Sequence, residues 1–457
     1  MGDLDAIFKS YDIRGLYPSE IDGDTCQTIG SAFARFLCEE DPEISKMVVG
    51  IDMRSSSEEL STRFIQGVTD SGIDVCFLGL SSTDMLYFAS GILGAPGAIF
   101  TASHNPAEYN GIKLCRPYAV PIGEGSGLGQ IKSISISNKT TNGNDKGTVT
   151  ELNLLGDFTE HVLSFIDPNK ISDIRIVADT ANGMGGLIVP AIFQNLRAEI
   201  EILYGDLDGN FPNHPADPLN PENLKDLTKR VLETSADVGL AFDGDADRVF
   251  LIDETGTPLS GSITTAIVAK SILESQPNAT IIYNLICSRS VKETITTTGG
   301  HAIRSRVGHS HIKQLMATSN AEFAGEHSGH YYFKKNFRAD SGIIAALIVL
   351  EYMSDQEVNL SQLREKYDIY SSSGELNFAI KNPSELLEIV EQEFINEQSD
   401  SLDGLTITSD TWWFNLRPSN TEPLVRLNLE ADNDTIREQM LVRLKGLIDT
   451  YSSDHGN

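Results

Sequence analysis

The chain of 457 residues has few cysteines, no long apolar run and a shortage of basic residues. Its five cysteines are scattered and form no CxxC pair, which is typical of a reducing compartment and offers no cysteine metal site. The longest apolar run, Ile343 to Leu350, is too short to span a bilayer. The net charge of -30 argues against nucleic acid or an anionic membrane as a partner, because both require a basic face.

The amino-terminal residues contain no basic segment that leads into an apolar core, so the sequence predicts a cytoplasmic location. At roughly 150 residues per domain, a chain of this length corresponds to about three domains. The acidic net charge still permits a small anionic ligand, provided that a few arginine, lysine and histidine side chains form a local positive site. A monomer and a homodimer are both compatible with the sequence.

Short apolar runs alternate along the chain with loops rich in glycine, aspartate and asparagine and with amphipathic stretches. The clearest runs, each of which ends at an acidic residue, are Met47–Asp52, Ile174–Asp179 and Val238–Asp243. This alternation predicts α/β units, and such folds place their sites just past the carboxyl ends of strands. Turn-like or polar segments predict boundaries near Asn138–Gly147, Asp253–Pro258 and Ser371–Gly374.

The first loop that can carry chemistry is Thr101–Pro106, which follows the predicted strand Ala98–Phe100. Ser103 lies between this strand and a stiff Asn-Pro turn, and His104 follows it directly. A serine beside a histidine can act as a nucleophile or as a phosphate carrier. An ordinary strand-ending turn explains the same residues, because serine and asparagine are common in turns.

The second loop contains three aspartates at alternate positions, Asp243, Asp245 and Asp247, followed by Arg248. If the loop curls, the three carboxylates can bind one hard cation such as magnesium, and Arg248 can hold a phosphate beside it. An EF-hand would require glycine where Arg248 stands. A solvated acidic turn is the other alternative, and it is disfavoured because three crowded carboxylates repel each other without a cation.

Two further loops have polar side chains suited to sugar and phosphate. Gly325–His330 contains Glu326 and Ser328, which can hydrogen-bond sugar hydroxyls, although a polar hairpin turn explains this segment equally well. Arg417–Pro423 places an arginine, two hydroxyls and an amide between two prolines, which is a suitable set for gripping a phosphate. A plain loop that enters the next strand is the alternative here.

Taken together, the four loops resemble those of the α-D-phosphohexomutase family over nearly the whole chain, and most closely its bacterial phosphomannomutase/phosphoglucomutase group. The segments Phe8–Gly15, Asp208–His214 and Val307–Lys313 resemble the same group. The resemblance implies three similar α/β domains and a smaller C-terminal α+β domain around a central cleft. The implied domains are residues 1–152, which carry the phosphoserine, residues 153–254, which bind the metal, residues 255–368, which recognise the sugar, and residues 369–457, which bind phosphate.

The resemblance also implies a role for individual residues. Ser103 is the expected phosphoserine, and it is expected to bind Mg²⁺ together with Asp243, Asp245 and Asp247. Other expected catalytic residues are Arg14, His104, Lys113 and Arg248. Expected substrate-binding residues are Tyr11, His309, Glu326, Ser328, His330, Arg417, Ser419, Asn420 and Thr421.

The implied reaction interconverts the 1-phosphate and 6-phosphate of mannose, glucose or both through the phosphoserine and a hexose 1,6-bisphosphate. One residue departs from the family pattern, because Ile286 stands where the group often has a cleft-facing lysine. Arg289 or His309 can in principle replace that positive charge. A magnesium-dependent sugar phosphatase with an aspartyl nucleophile and a sugar-phosphate-binding protein without turnover are the alternatives.

Overall fold

The computed structural model describes residues 4–137, 146–419 and 424–454, which form four β-sheets that follow one another along the chain. The first sheet contains β1 (Ile13–Leu16), β2 (Lys46–Ile51), β3 (Asp74–Leu80), β4 (Gly97–Phe100), β5 (Tyr109–Arg116), β6 (Val120–Pro121) and β7 (Val149–Glu151). Its helices are α1 (Leu4–Ile7), α2 (Gly23–Glu40), α3 (Ser57–Asp70), α4 (Thr83–Leu93) and α5 (Leu128–Ser137). The strand order is β1-β5-β4-β2-β3-β7, with β6 paired to β5.

The second and third sheets repeat the same design of parallel strands beside an antiparallel edge. The second contains β8 (Ser172–Asp179), β9 (Arg197–Leu203), β10 (Val238–Phe242) and β11 (Val249–Asp253), with α6 (Leu155–Leu163), α7 (Gly185–Phe193) and α8 (Lys225–Thr234). The third contains β12 (Thr280–Asn284), β13 (His301–Ser305), β14 (Phe323–Gly325), β15 (Tyr331–Phe333) and β16 (Ala339–Asp340), with α9 (Gly261–Ser275), α10 (Arg289–Thr297), α11 (His309–Ser319), α12 (Gly342–Gln356) and α13 (Leu360–Tyr367). Their orders are β11-β10-β8-β9 and β13-β12-β14-β15-β16.

The fourth sheet is entirely antiparallel, which makes this last part of the chain an α+β unit. It contains β17 (Ser371–Ala379), β18 (Gln398–Asp400), β19 (Leu405–Thr408), β20 (Trp412–Pro418) and β21 (Leu424–Ala431), with α14 (Pro383–Glu393) and α15 (Asp434–Asp454). The order is β17-β21-β20-β19-β18. Short 3₁₀ helices lie at Pro117–Ala119, Glu124–Ser126, Pro221–Leu224 and Lys334–Asn336.

The predicted fold class, three α/β units followed by a smaller α+β unit, is confirmed. The burial of the strands explains why the sequence pattern predicts this class. All five residues of β10 and all five of β11 are buried, so these runs read as continuous apolar segments rather than as alternating ones. One hydrophobic core extends from Val48 to Tyr367 and joins the first three units. The fourth unit has its own core, which extends from Ile380 to Tyr451. Within the described part of the chain, no helix has the length and apolar character needed to cross a membrane.

Candidate active site

The Ser103 loop follows β4 and meets the acidic loop of the second sheet. Ser103 is 5% exposed, and its hydroxyl donates a hydrogen bond of 2.8 Å to Asp243 Oδ2, 140 residues away in sequence. Its φ of 49° lies in the left-handed region, which is costly for a serine and is held only when the surroundings enforce it. His104 Nδ1 lies 3.3 Å from the Ser103 hydroxyl. The hydroxyl is therefore held in one place beside a carboxylate and an imidazole.

The acidic loop after β10 is curled, which brings its carboxylates together as a metal site requires. Ala246 has a φ of 60°, and the carboxylate oxygens of Asp243, Asp245 and Asp247 come within 4.8 Å of one another. All three side chains are buried. Among the described residues, Asp245 Oδ1 and Asp247 Oδ1 are buried without a hydrogen-bond donor. Such unsatisfied carboxylate oxygens fit a hard divalent cation that prefers oxygen ligands.

Two basic side chains, Lys113 and Arg248, contact the carboxyl groups of the three aspartates. Lys113 Nζ donates to Asp245 Oδ2 at 2.7 Å and to Asp247 Oδ2 at 2.6 Å. Arg248 Nε donates to Asp243 Oδ2 at 2.9 Å, and a terminal nitrogen of Arg248 contacts His104 Nδ1 at 2.7 Å. We refer to Ser103, Lys113, Asp243, Asp245, Asp247 and Arg248 as the Ser103 cluster.

Burial and charge shift the pKa values of this cluster in opposite directions. Burial, offset only in part by Arg248, raises the pKa of Asp243 to about 8. Burial also opposes ionisation of Asp245, but Lys113 and Thr83 lower its pKa below the usual range. The pKa of Lys113 is held well above its usual range because two carboxylates outweigh the effect of burial. Lys113 is therefore a fixed positive charge at neutral pH.

The N-terminal segment places Arg14 beside the Ser103 loop and Tyr11 beside α11 of the third unit. Arg14 donates hydrogen bonds to the side chains of Asn105 and Asp12 and so touches the Ser103 loop. The ring of Tyr11 lies 5.2 Å from that of His309, which begins α11 of the third unit. Burial, reinforced by the positive charge of a nearby lysine, lowers the pKa of His309 to about 3. His309 is consequently neutral at physiological pH.

His330 connects the predicted sugar loop to the acidic loop. Its Nε2 lies 3.7 Å from Asp247 Oδ1, its Nδ1 lies 3.0 Å from Ser328 Oγ, and its backbone forms an isolated antiparallel bridge with Arg248. The predicted loops of the first three units therefore converge on one place.

The carboxylate of Glu326 is held by protein groups on both oxygens. Its Oε2 accepts from Tyr332 at 2.7 Å, and its Oε1 accepts from Asn284 Nδ2 at 3.2 Å and from the Gly308 backbone at 3.3 Å. The side chain is only 3% exposed. A sugar hydroxyl would therefore share a carboxylate that the fold has already oriented.

The fourth predicted loop is only partly described. In the described part of the chain, Arg417 pairs with Glu375 of its own sheet at 3.3 Å rather than with the Ser103 cluster, and its Nε is buried without a hydrogen-bond acceptor. The Ser419 backbone donates to Leu424 at 2.8 Å. Asn420 and Thr421 lie outside the described residues.

Ile286 is buried, and neither proposed substitute for the family lysine supplies a free charge at the cleft. The guanidinium of Arg289 contacts Glu430 at 3.3 Å and Asp432 at 2.8 Å and covers the ring of Tyr370. Arg289 thus ties α10 to the fourth unit, while His309 is neutral as described above. The loss of the lysine charge is not repaired by either residue.

Sequence reasoning did not single out three residues that contact the site. Thr83 donates to Asp245 at 2.6 Å, and a carboxylate oxygen of Asp340 lies within 4.8 Å of possible metal-ligand atoms of Asp247 and His330. Nothing local in the sequence marks either residue, because Asp245 and Asp247, which they approach, belong to the second unit. Arg54 follows the predicted strand that ends at Asp52. In an α/β fold a polar residue just past a strand is a candidate for a site, and this was the signal that the sequence offered.

The site contains a buried serine that faces three aspartates able to bind a metal ion together, with fixed cations beside them. This arrangement, within three α/β units, defines a phosphoryl-transfer enzyme of the phosphohexomutase class. Models of the phosphoglucomutase/phosphomannomutase α/β/α domains I, II and III match residues 5–139, 156–256 and 260–370, and the model of the C-terminal domain matches residues 375–445. The chain therefore belongs to the phosphoglucomutase/phosphomannomutase family, and it is a phosphohexomutase.

Individual relatives support the same conclusion. The chain is 40% identical to a phosphomannomutase of Methanocaldococcus jannaschii over 98% of both chains. It is 37% identical to a phosphomannomutase of Escherichia coli K12, with 93% of this chain and 95% of the relative covered. A solved structure of a family protein from Burkholderia thailandensis has a TM-score of 0.90 at 28% identity, with 99% of this chain and 98% of the other covered.

Proposed function

We propose that Ser103 carries the phosphoryl group, that Asp243, Asp245 and Asp247 hold Mg²⁺ with it, and that the substrates are hexose phosphates. The observation that carries this proposal is the hydrogen bond of 2.8 Å between the Ser103 hydroxyl and Asp243, which is one of three buried aspartates that could bind a metal ion together. A magnesium ion held there would neutralise charge on the transferring group. Lys113 and Arg248 add fixed positive charge at the same place.

The reaction proceeds in two transfers. A free hydroxyl of the hexose monophosphate attacks the phosphorus of phosphorylated Ser103; the new bond to the sugar oxygen forms as the bond to Ser103 Oγ breaks. The hydroxyl proton passes to a nearby base, and the sugar becomes a 1,6-bisphosphate. This intermediate reorients, and Ser103 Oγ attacks the phosphorus of the other phosphoryl group. The new bond to Ser103 Oγ forms as the bond to the sugar oxygen breaks, that oxygen takes the proton back from the base, and the isomerised monophosphate is released.

His104 is a better candidate than Lys113 for the proton acceptor. Lys113 pairs with two carboxylates, which keep its pKa well above the usual range and hold it protonated. Burial, reinforced by Arg248, holds the pKa of His104 well below its usual range, so its imidazole is neutral at pH 7. A neutral imidazole can accept a proton once Arg248, which contacts its Nδ1 at 2.7 Å, moves away, whereas an ammonium group cannot.

The remaining roles follow the arrangement of the cleft. Arg14, Tyr11, His309, Glu326, Ser328 and His330 would bind the sugar and the reacting phosphate. Arg417, Ser419, Asn420 and Thr421 would hold the phosphate that is not reacting. We also propose the domain divisions 1–152, 153–254, 255–368 and 369–457. A cytoplasmic location and a monomeric or homodimeric state stay predictions.

The test is turnover of mannose 1-phosphate and glucose 1-phosphate with Mg²⁺ and a trace of hexose 1,6-bisphosphate, followed by phosphorus NMR. We expect the 6-phosphates to appear without free phosphate, and the ratio of the two rates identifies the preferred sugar. Release of free phosphate would favour a phosphatase instead. If neither sugar is converted, the mannose and glucose assignment is wrong, and amino-sugar phosphates are the next substrates to test because of Ile286.

The affinity for Mg²⁺ is expected to rise with pH up to about pH 8. The raised pKa of Asp243, about 8, keeps this carboxyl protonated at lower pH, and the ion binds only the carboxylate. Below that pKa we expect roughly tenfold weaker binding per pH unit and release of about one proton per ion. Isothermal titration calorimetry in two buffers of different ionisation enthalpy measures both. An affinity that stays constant from pH 6.5 to 8.5 would contradict a protonated Asp243.

A further inference from the structure

A fully buried arginine lies directly beneath the Ser103 loop. The side chain of Arg54 is 0% exposed, and its terminal nitrogens donate four hydrogen bonds to backbone carbonyl oxygens. The acceptors are Ser103 at 2.9 Å, Asn105 at 2.7 Å, Pro106 at 2.7 Å and Tyr109 at 2.9 Å. One guanidinium thus binds the whole loop from the serine to the start of β5.

Arg54 is itself held in one orientation. Its Nε donates to Asp52 Oδ2 at 3.2 Å, and Asp52 Oδ1 accepts from Ser57 Oγ at 2.6 Å. The ring of Phe211, from the second unit, covers the guanidinium at 5.1 Å. Gly209 packs so closely that a Cβ there would lie 2.5 Å from Arg54 Cα. The planar guanidinium therefore has little freedom to turn.

The backbone of Ser103 requires this support. With φ at 49°, the serine occupies a conformation that persists only when its neighbours enforce it. Its N–H donates to Thr101 Oγ1 at 2.9 Å, and its carbonyl accepts from Arg54. The same carbonyl packs against Gly244 of the acidic loop, where a Cβ would lie 2.4 Å from the oxygen. Rotation of this peptide would move the hydroxyl away from Asp243.

We propose that Arg54, oriented by Asp52, is a positioning residue for phosphoryl transfer: its four carbonyl bonds fix the left-handed backbone that aims the Ser103 hydroxyl at the aspartates. This inference rests on the proposed role of Ser103 as the phosphoryl carrier. Arg54 touches neither sugar nor phosphate, so its loss should reduce the rate of transfer and leave substrate binding intact. A misplacement of about 1 Å in a reacting group can cost roughly 100-fold in rate.

The test compares Arg54→Met and Arg54→Lys with Val49→Ala, a cavity variant in the buried strand β2 of the same unit that leaves the loop untouched. For each variant we measure kcat and KM for glucose 1-phosphate, the melting temperature, and the fraction of Ser103 phosphorylated by glucose 1,6-bisphosphate. We expect both Arg54 variants to lose about 100-fold in kcat at unchanged KM and to be phosphorylated more slowly. Lysine does not rescue, because one ammonium cannot reproduce the fork of the guanidinium.

The control separates positioning from folding. Val49→Ala should lower the melting temperature and keep the wild-type kcat at a temperature at which all variants are folded. If the Arg54 variants, at that temperature, retain the wild-type kcat, Arg54 is merely structural and the inference is wrong. If wild-type protein takes up no phosphoryl group at Ser103, the proposed function fails instead. Should both Arg54 variants not fold, Asp52→Asn, which keeps Arg54 but weakens its orientation, must still lower kcat at unchanged KM.

Discussion

Replacing Ser103 by alanine is expected to abolish mutase turnover, with a loss of at least ~10³-fold in kcat, because it removes the hydroxyl that donates to Asp243, and the Thr83 hydroxyl donates to Asp245 instead. The fold should be retained, since Asp243 Oδ2 still accepts from Arg248 Nε at 2.9 Å after the serine bond of 2.8 Å is lost. Turnover of glucose 1-phosphate measures the loss, and intact-protein mass spectrometry checks that no phosphoryl group is taken up.

Ser133→Ala is the matched control, because Ser133 lies on the exposed face of α5 and its hydroxyl donates to the Gly129 carbonyl of its own helix. This variant should behave as the wild type. A Ser103→Ala protein that still turned over with release of phosphate would support a phosphatase with an aspartyl nucleophile. A wild-type protein that bound hexose phosphates without converting them would support a binding protein.

Asp247→Asn is expected to remove the metal site while leaving the protein folded. Asp247 Oδ1 is buried and, among the described residues, lacks a hydrogen-bond donor, so this oxygen is available to an ion. Lys113 keeps its partner Asp245 at 2.7 Å, and the loss of one of three crowded carboxylates relieves repulsion. We expect Mg²⁺ affinity to fall at least ~100-fold and kcat to fall by about 10³-fold.

Calorimetry and thermal melting with and without Mg²⁺ check this expectation, because an ion that binds only the native state raises the melting temperature. The wild type should gain stability with Mg²⁺, and Asp247→Asn should not. Asp157→Asn, at an exposed aspartate on α6, should respond as the wild type does. Equal Mg²⁺ affinity in Asp247→Asn and the wild type would exclude Asp247 as a ligand.

The fixed charges of the site arise from pairs that are far apart in sequence. Lys113 reaches Asp245 and Asp247 across 132 and 134 residues, and nothing near Lys113 in the sequence indicates this pairing. Arg289 is a second case, because the sequence alone permits it to replace the lysine charge that is missing at Ile286. The structure shows instead that it contacts the fourth unit through Glu430 and Asp432.

What the sequence determined by itself is local. Buried strands such as β10, the alternate aspartates that follow it, and the strand-to-turn position of Ser103 are encoded within a few neighbouring residues, so pattern and spacing were sufficient to predict them. Only the tertiary structure decided how these loops meet: that Asp243 receives the Ser103 hydroxyl, and that Arg54 supports the strained backbone at Ser103. These contacts depend on the packing of separate units around one core, and such long-range geometry leaves no periodic or compositional trace in the chain.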